Sequence, residues 1–559
     1  MLFAEEVARL VSKAAKVNTA DALNLLEEPP SPELGDVAFP CFGLAKEWKK
    51  SPVKIAQQLA QDIKPELPVA TIIATGPYVN FYLNKAIVAE EALTKRRKLP
   101  KRKERVMVEH SNGNTHKEAH IGHLRNLFLG DSIVRVMKAA GFPVVNAYYI
   151  NDTGAHVAKC LWALQKYHAD EEPPKDKLRW LGGIYAEGAR TAQEDEEAKK
   201  EADEVLRKLE EGDKETLELW KKTRQWSIDD WHRIFEQLEM LPFDARFFDS
   251  DVTPAVKPIV NRMHEKGILK ESEGALVADL EHEGLHTAII RKRDGTTPYL
   301  AKDLALAERK FKDYEIDRNI YVVGSEQELH FQQLFKLLEK DGFPQARKCH
   351  HVSYGLVMLK EGKMSSREGT AIPFDEFYGK VYERAKEGVA ERHEDWPDKK
   401  REASAKGITL GAMKLPLVLQ EPKKRIIFDL EKAMDFEGET GPYLQYTHAR
   451  LCSILRKHGK KVTENVDHSI LESSEEQSVI KRLGKETDVL LEAAEKHKPS
   501  LLARYAIDLA QEANTFYHTH QILQEAETVK KARLLLVLKT KEALGRVLES
   551  LGIPALEEM

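Results

Sequence analysis

Three observations predict an α/β fold class with a doubly wound, Rossmann-like parallel sheet at its centre, flanked by a smaller α/β domain and an all-α bundle. From residue 105 to about 170, and again from about 285 to 360, short β-branched runs alternate with helical patterns, as strands and crossover helices of a parallel sheet do. Between Glu109 and His123 a polar stretch, Glu-His-Ser-Asn-Gly-Asn-Thr-His-Lys-Glu-Ala-His-Ile-Gly-His, links a strand-like run to an amphipathic helix. Beyond residue 437 the apolar residues recur with a helical period and few glycines intervene. Ligands of such sheets collect at the carboxyl ends of the strands.

The elements follow in order. Residues 1–85 read as a small α/β domain: helical patterns over 4–15 and 43–63, the apolar run Ala70–Ile73, then a Gly76-Pro77 turn before the alternating strand pattern Tyr78–Leu83. Residues 86–104, basic and carrying Pro100, read as a linker. The sheet domain takes 105–404, with strands expected at Val106–His110, Val144–Ile150, Thr287–Arg291, Asn319–Val323 and Val352–Leu359. Asn112, Gly113 and Asn114 mark a turn, and the helix after it should stop near Gly141. A charged, helix-rich insertion occupies about 175–272, and its apolar positions keep no clean heptad. Residues 405–436 form a connector, and 437–559 a helical bundle with long helices near Tyr443–Lys457 and Leu501–Tyr517.

Composition narrows the class. A chain of 559 residues with 42% hydrophobic and 32% charged residues can bury several cores and stay soluble. No run approaches a membrane span, and the acidic start Met-Leu-Phe-Ala-Glu-Glu is no signal peptide. Four scattered cysteines, Cys41, Cys160, Cys349 and Cys452, suit a reducing cytoplasm and fit neither a zinc ribbon nor a disulfide scaffold. A net charge of -5 excludes a generic polyanion binder but not a basic face.

The histidines come next. His116 and His120 have the spacing of a helical metal pair, yet the following Glu is at 118 rather than beside His116, so the zinc-hydrolase pattern is not met. A phosphate site uses more of the residues. His120 and His123 sit in the first turn of a helix, where unpaired N–H groups and the helix dipole attract anions, and Gly122 leaves room for a nucleotide. Lys363-Met364-Ser365-Ser366-Arg367 follows 240 residues after His123 and is cationic and rich in hydroxyls, although alone it reads as a surface loop.

Together the two stretches resemble the His-Ile-Gly-His and Lys-Met-Ser-Lys-Ser signatures of class I aminoacyl-tRNA synthetases. Further segments are similar to arginyl-tRNA synthetases over essentially the whole chain: Glu109-x-Ser111-x-x-Asn114, Tyr299-x-x-x-Asp303, Val322 to Phe331 and Gly441 to Arg450. That resemblance implies an arginine–tRNA ligase using ATP with Mg²⁺, L-arginine and tRNA(Arg), acting through arginyl-adenylate and requiring bound tRNA for activation. It assigns catalysis to His120, His123, Lys363 and Arg367. It assigns ATP binding to Gly122, Asn151, Asp152, Gly154, Met364, Ser365 and Ser366. Arginine binding falls to Glu109, Ser111, Asn114, Tyr299, Asp303 and Gln327, and tRNA binding to Tyr78, Asn80, Tyr446, Tyr517 and Met559. No dedicated metal site is expected; a cytoplasmic monomer with no membrane partner is.

The residues fit that chemistry, because carboxylates recognise a guanidinium best. From sequence, Asp303 equally suits the N-cap of a helix over Leu304–Phe311, and Tyr78 and Asn80 equally suit a buried strand and a turn. The chain departs from the family where Ser366 replaces the second lysine and Glu368 replaces a compensating one. Arg367, or a lysine from elsewhere, then takes the phosphate role. The alternative in another class is a non-catalytic tRNA-binding paralogue.

Overall fold

The computed structural model describes residues 1–95, 97–293, 295–359 and 372–559. Its centre is a five-stranded sheet: β1 (Val106–Asn114), β2 (Val144–Asn151), β3 (Ala245–Phe248), β4 (Arg318–Gly324) and β5 (Cys349–Tyr354). The order is β5-β4-β1-β2-β3 and every neighbouring pair is parallel. Helices α1 (Ile121–Ala139), α2 (Tyr299–Tyr314) and α3 (Glu328–Lys340) connect or cover it.

Strand side chains alternate between faces, and here each face has its own core. Val106, Val108, Tyr148, Ile150, Ile320 and Val322 join the cluster containing α1. Met107, Val145, Ala147, Tyr321 and Val323 join the one containing α2 and α3. Both faces are covered, so the strands read as continuous apolar runs. The chain leaves β1 toward β2 and β3, then returns to place β4 on β1's other side. The switch point of the sheet therefore lies between β1 and β4.

Several elements differ from the sequence reading. Ala288–Arg291 is not in the parallel sheet; it pairs antiparallel with Ala275–Ala278, which pairs with Lys270–Ser272. Its Ala288 and Ile290 are buried while Ile289 is 49% exposed, the signature of a strand with one wet face. The fifth strand is Ala245–Phe248, inside the stretch assigned to the insertion and too short to show a period. The strand expected at 352–359 breaks at Gly355, whose added Cβ would lie 2.7 Å from the carbonyl of Lys423; Val357–Leu359 instead pairs with Ile426–Phe428. Asn112–Asn114 is no turn: β1 continues through a bulge between His110 and Gly113, with Ser111 at φ +60°. The helical pattern at 43–63 divides at Lys49 (φ +52°), and Ser51 caps the second part, Pro52–Asp62. The stretch read as a linker begins with a helix, Lys85–Thr94, that buries Val88, Ala89 and Leu93.

The helical insertion lies between β2 and β3, earlier than the expected 175–272: it begins with the helix Ala155–Tyr167 and continues through Lys177–Glu194, Glu196–Glu211 and Lys214–Gln237, and the first three share a separate core. At the N-terminus Tyr78–Leu83 is the middle strand between Val37–Pro40 and Val69–Thr75. The C-terminal bundle (Gly441–His458, Ser474–Leu483, Glu486–Glu495, Pro499–Thr519, Glu527–Leu551) joins the sheet domain through the helix Asp398–Leu419.

Candidate active site

Pairing between β1 and β4 stops at Glu109 opposite Tyr321. Beyond that rung Asn126 of α1 stands between the strands, its amide donating to the Val322 carbonyl (2.9 Å) and its oxygen accepting from the Ser111 N–H. The bulge and the wedge mark the switch point, where sheets of this kind form their ligand crevice.

The N-terminus of α1 forms one wall. His120 is the N-cap rather than a residue of the first turn: its Nδ1 accepts from the Gly122 N–H (3.1 Å), while Nδ1 of His123 accepts from the His120 N–H (3.1 Å). This reciprocal cap satisfies two orphan donors of the helix. With its Nδ1 accepting, the neutral His120 ring carries its proton on Nε2, whereas Nδ1 of His123 also lies 3.3 Å from the His120 carbonyl, so the cap is compatible with either His123 tautomer. The rings lie 4.0 Å apart, and His123 meets Trp231 edge-on at 5.3 Å. Burial, then the charge of Lys117, pushes His120 down to about 4. Burial, then His120, holds His123 well below the usual histidine range. Both are neutral donors at pH 7. A Cβ at Gly122 would lie 2.8 Å from the His120 ring, so the space at this glycine is taken by the capping imidazole, not left open for a nucleotide.

His110 and His116 do not take part. His110 is buried against Asn146 (2.9 Å) and Ser111 (2.8 Å), and His116 against Thr223 (2.8 Å) and Thr115 (2.9 Å). Burial pushes them down to about 4 and about 3. Among the described residues no group of three or more metal-ligating side chains is gathered.

The ends of β2 and β3 and the first turns of α2 form the opposite wall. Asn151 donates to the Tyr299 hydroxyl (2.8 Å), and its Oδ1, like Asn112 Oδ1 and His156 Nε2, is buried with no partner. Such groups cost free energy unless a ligand meets them. Gly154, at φ +105°, begins the next helix with nothing near its Cβ position. Asp152 is buried and accepts from Ser250 N–H (2.9 Å), Ser250 Oγ (2.7 Å) and Arg224 Nε (2.5 Å), tying the insertion to the chain just after β3, so three of its acceptor positions are already engaged within the protein.

Asp303 is not an N-cap, because α2 begins four residues earlier at Tyr299. It sits on the second turn, with Oδ2 2.6 Å from His330 Nε2 on α3. Tyr299 is exposed, and so is Gln327 beyond β4. Glu109 is buried with its carboxylate 2.5 Å from Lys310 Nζ. Ser111 is buried with its hydroxyl on His110, and the carbonyl of half-buried Asn114 accepts from Trp231 Nε1 (3.3 Å). Sequence reasoning missed Trp231, Asp249, Lys302, Lys310 and His330. Asp249 is fully buried, taking Tyr149 (2.6 Å), Thr153 and Lys302 at the end of β3.

Lys363, Met364, Ser365, Ser366 and Arg367 lie outside the described residues. The chain just after them is anchored at the first wall: Ile121 N–H donates to Ile372 O (3.2 Å) and Phe374 N–H to Ala119 O (2.9 Å).

Away from the crevice, Tyr446 and Tyr517, each 38% exposed, flank the Arg450 guanidinium at 4.8 and 5.0 Å. Met559 packs on the core. Tyr78 meets the exposed Phe42 edge-on at 5.8 Å. Asn80 is 3% exposed, so it lies inside the small sheet and offers no edge to a base.

Comparison with known proteins agrees over the full length. Three family models match: "Arginyl tRNA synthetase N terminal domain" over residues 1–83, "tRNA synthetases class I (R), catalytic domain" over 84–430 and "DALR anticodon binding domain" over 444–559. The arginine–tRNA ligase of Clostridioides difficile is 35% identical, with 96% of this chain and 95% of that protein aligned. That of Halothermothrix orenii is 34% identical with both chains fully covered. The structure of Thermus thermophilus arginyl-tRNA synthetase superimposes with a TM-score of 0.85 at 30% identity, again covering both chains in full.

Proposed function

The chain belongs to the arginyl-tRNA synthetases of class I, and from that premise we propose how its crevice carries out the ligation. It is an arginine–tRNA ligase: ATP activates L-arginine as the adenylate, pyrophosphate leaves, and transfer to the 3′ end of tRNA(Arg) releases AMP. The site reading is supported by a reciprocally capped imidazole pair opening α1 just beyond β1, and by a carboxylate on the second turn of α2, whose first residue Tyr299 accepts from Asn151 at the end of β2.

In the first step the arginine carboxylate attacks the α-phosphorus in line with the departing pyrophosphate. Such a transition state needs alignment and charge neutralisation more than covalent help. The neutral imidazoles of His120 and His123, held in place by the cap and backed by a helix N-terminus, are positioned to donate to phosphate oxygens. Lys363 and Arg367 supply cations to the leaving phosphates, and Met364, Ser365 and Ser366 complete that motif. Lys117, whose charge reaches both His120 and His156, is a further cation beside the imidazoles and suits the place of the missing second lysine. Magnesium arrives with the triphosphate. Asn151 and Gly154 line the nucleotide side.

Asp303, oriented by His330, faces the guanidinium, with Tyr299 and Gln327 at the mouth of the slot and Glu109, Ser111 and Asn114 along its floor. In the second step the terminal ribose hydroxyl of tRNA attacks the adenylate carbonyl and AMP leaves. The exposed Tyr446–Arg450–Tyr517 stack offers π faces to unstacked bases, and Tyr78 with Phe42 offers another at the N-terminal domain. We divide the chain into 1–85, 86–104, 105–404, 405–436 and 437–559; the family models end near the first and last of these boundaries, while the catalytic model runs through the second and third. We also read it as a cytoplasmic monomer; no described helix is long and apolar enough to cross a membrane.

Incubation with ATP, tRNA and labelled arginine tests the proposal. Base-labile label on tRNA is the expected product, lost on His123→Ala. Binding of tRNA without any label would favour the non-catalytic paralogue.

A further inference from the structure

Glu109 and Lys310 form an ion pair wholly inside the protein: side-chain exposures are 5% and 0%, and Nζ lies 2.5 Å from Oε2. The ammonium also rests 4.3 Å over the Tyr321 ring and 5.5 Å from that of Phe247. A buried pair of this kind is a poor way to stabilise a fold, since apolar residues of the same volume usually do as well or better. Its position suggests another use. Glu109 is the last rung of β1 before the crevice opens, and Lys310 lies on α2 seven residues after Asp303, two helical turns along the same face.

The slot floor therefore holds two carboxylates. Left alone they would present two negative charges to a side chain that carries one positive charge. Lys310 takes up one of them. We propose that Lys310 is a positioning residue that sets the charge of the amino-acid slot: its ammonium compensates Glu109 and holds that carboxylate along β1, leaving Asp303 as the single uncompensated anion for a monocationic side chain. The proposal rests on the reading that Asp303 and Glu109 line the arginine slot.

The groups facing Glu109 are Lys310 and Asp303 on α2, Tyr149 on β2 with Asp249 behind it, and Tyr321 on β4. Burial holds Glu109 above the usual carboxylate range; Lys310 opposes that rise and Asp303 adds to it. Removing Lys310 takes away the group that opposes this rise, so Glu109 holds a proton more tightly.

The test measures arginine KM and kcat by pyrophosphate exchange between pH 6 and 9, with tRNA present, for wild type, Lys310→Arg, Lys310→Met and the double variant Glu109→Gln/Lys310→Met. Wild type and K310R should show a flat arginine KM. K310M should shift it at least about tenfold at pH 9, where Glu109 is a second uncompensated anion, and the departure from wild type should be smaller at pH 6 while the ATP KM stays constant. The double variant, with Asp303 again the single anion, should be flat with pH and close to wild type, and it carries the test if K310M does not fold. A K310M with the wild-type arginine KM at every pH would make Lys310 a mere filler and overturn the proposal, as would a double variant as defective as K310M or a K310R that behaves like K310M. Asp303→Asn run alongside separates the two claims, because unchanged arginine activation there refutes the slot reading itself.

Discussion

Asp303→Asn is the sharpest perturbation of the arginine slot. The amide keeps the shape of the side chain and can still accept from His330 Nε2, now 2.6 Å from Oδ2. Only the charge is removed. Neutralising one partner of a desolvated, hydrogen-bonded ion pair costs about 2–5 kcal/mol, or about 30-fold to several thousand-fold. The side chain is 20% exposed, so water screens part of that interaction and the lower half of the range applies. The loss should fall on arginine KM and kcat/KM in tRNA-dependent pyrophosphate exchange, with the ATP KM unchanged. Stability should hardly move, because Asp303 caps no helix; an N-capping role would instead lower it by about 1 kcal/mol. A variant that keeps arginine kcat/KM within about threefold of wild type, far below the range for a broken charge pair, would remove Asp303 from the slot.

Three further outcomes follow from the geometry. His123→Ala removes half of the reciprocal cap and one phosphate donor, so urea unfolding should show a loss of about 1 kcal/mol while kcat drops about a hundredfold or more; a stability loss without a kcat loss would leave His123 only a cap. His110, His116 and His156 are held at about 4, 3 and 4 by burial, so on acidification the unfolded chain binds protons first. Their stability contribution is fully present above about pH 6.5 and is lost as pH falls toward 4, each histidine adding a slope of about 1.4 kcal/mol per pH unit; unfolding midpoints that stay constant from pH 7 to 5 would contradict their burial. Tyr517→Ala should raise the tRNA KM by the factor of one lost stack, about 1–3 kcal/mol, and leave arginine KM at saturating tRNA unchanged; an unaltered tRNA KM would take the Tyr446–Arg450–Tyr517 face out of the tRNA contact.

Local chemistry made the fold class readable. The strands β1, β2 and β4 are apolar because both faces of the sheet are covered, and the bundle helices carry their period openly. Tertiary overrides hid the rest. Ala245–Phe248 is a strand only because β2 lies beside it, and four residues cannot declare a period. The pattern that suggested a turn at Asn112–Asn114 is a bulge held by Asn126. Gly122 was legible as a tight spot, but its occupant, the His120 ring, was not. Asp152 matched a nucleotide motif, yet its partners Arg224 and Ser250 are 72 and 98 residues away in sequence. Lys310 shares no motif with Glu109, 201 residues before it. Long-range pairings of this kind leave no pattern in a single sequence, whereas a cap formed within four residues does.

Pyrophosphate exchange with each of the twenty amino acids, run with and without tRNA, bears most directly on a crevice built for ATP and a single guanidinium. Exchange with arginine alone, abolished by Asp303→Asn and dependent on tRNA, is the expected result; exchange with a different amino acid, or with none, contradicts it.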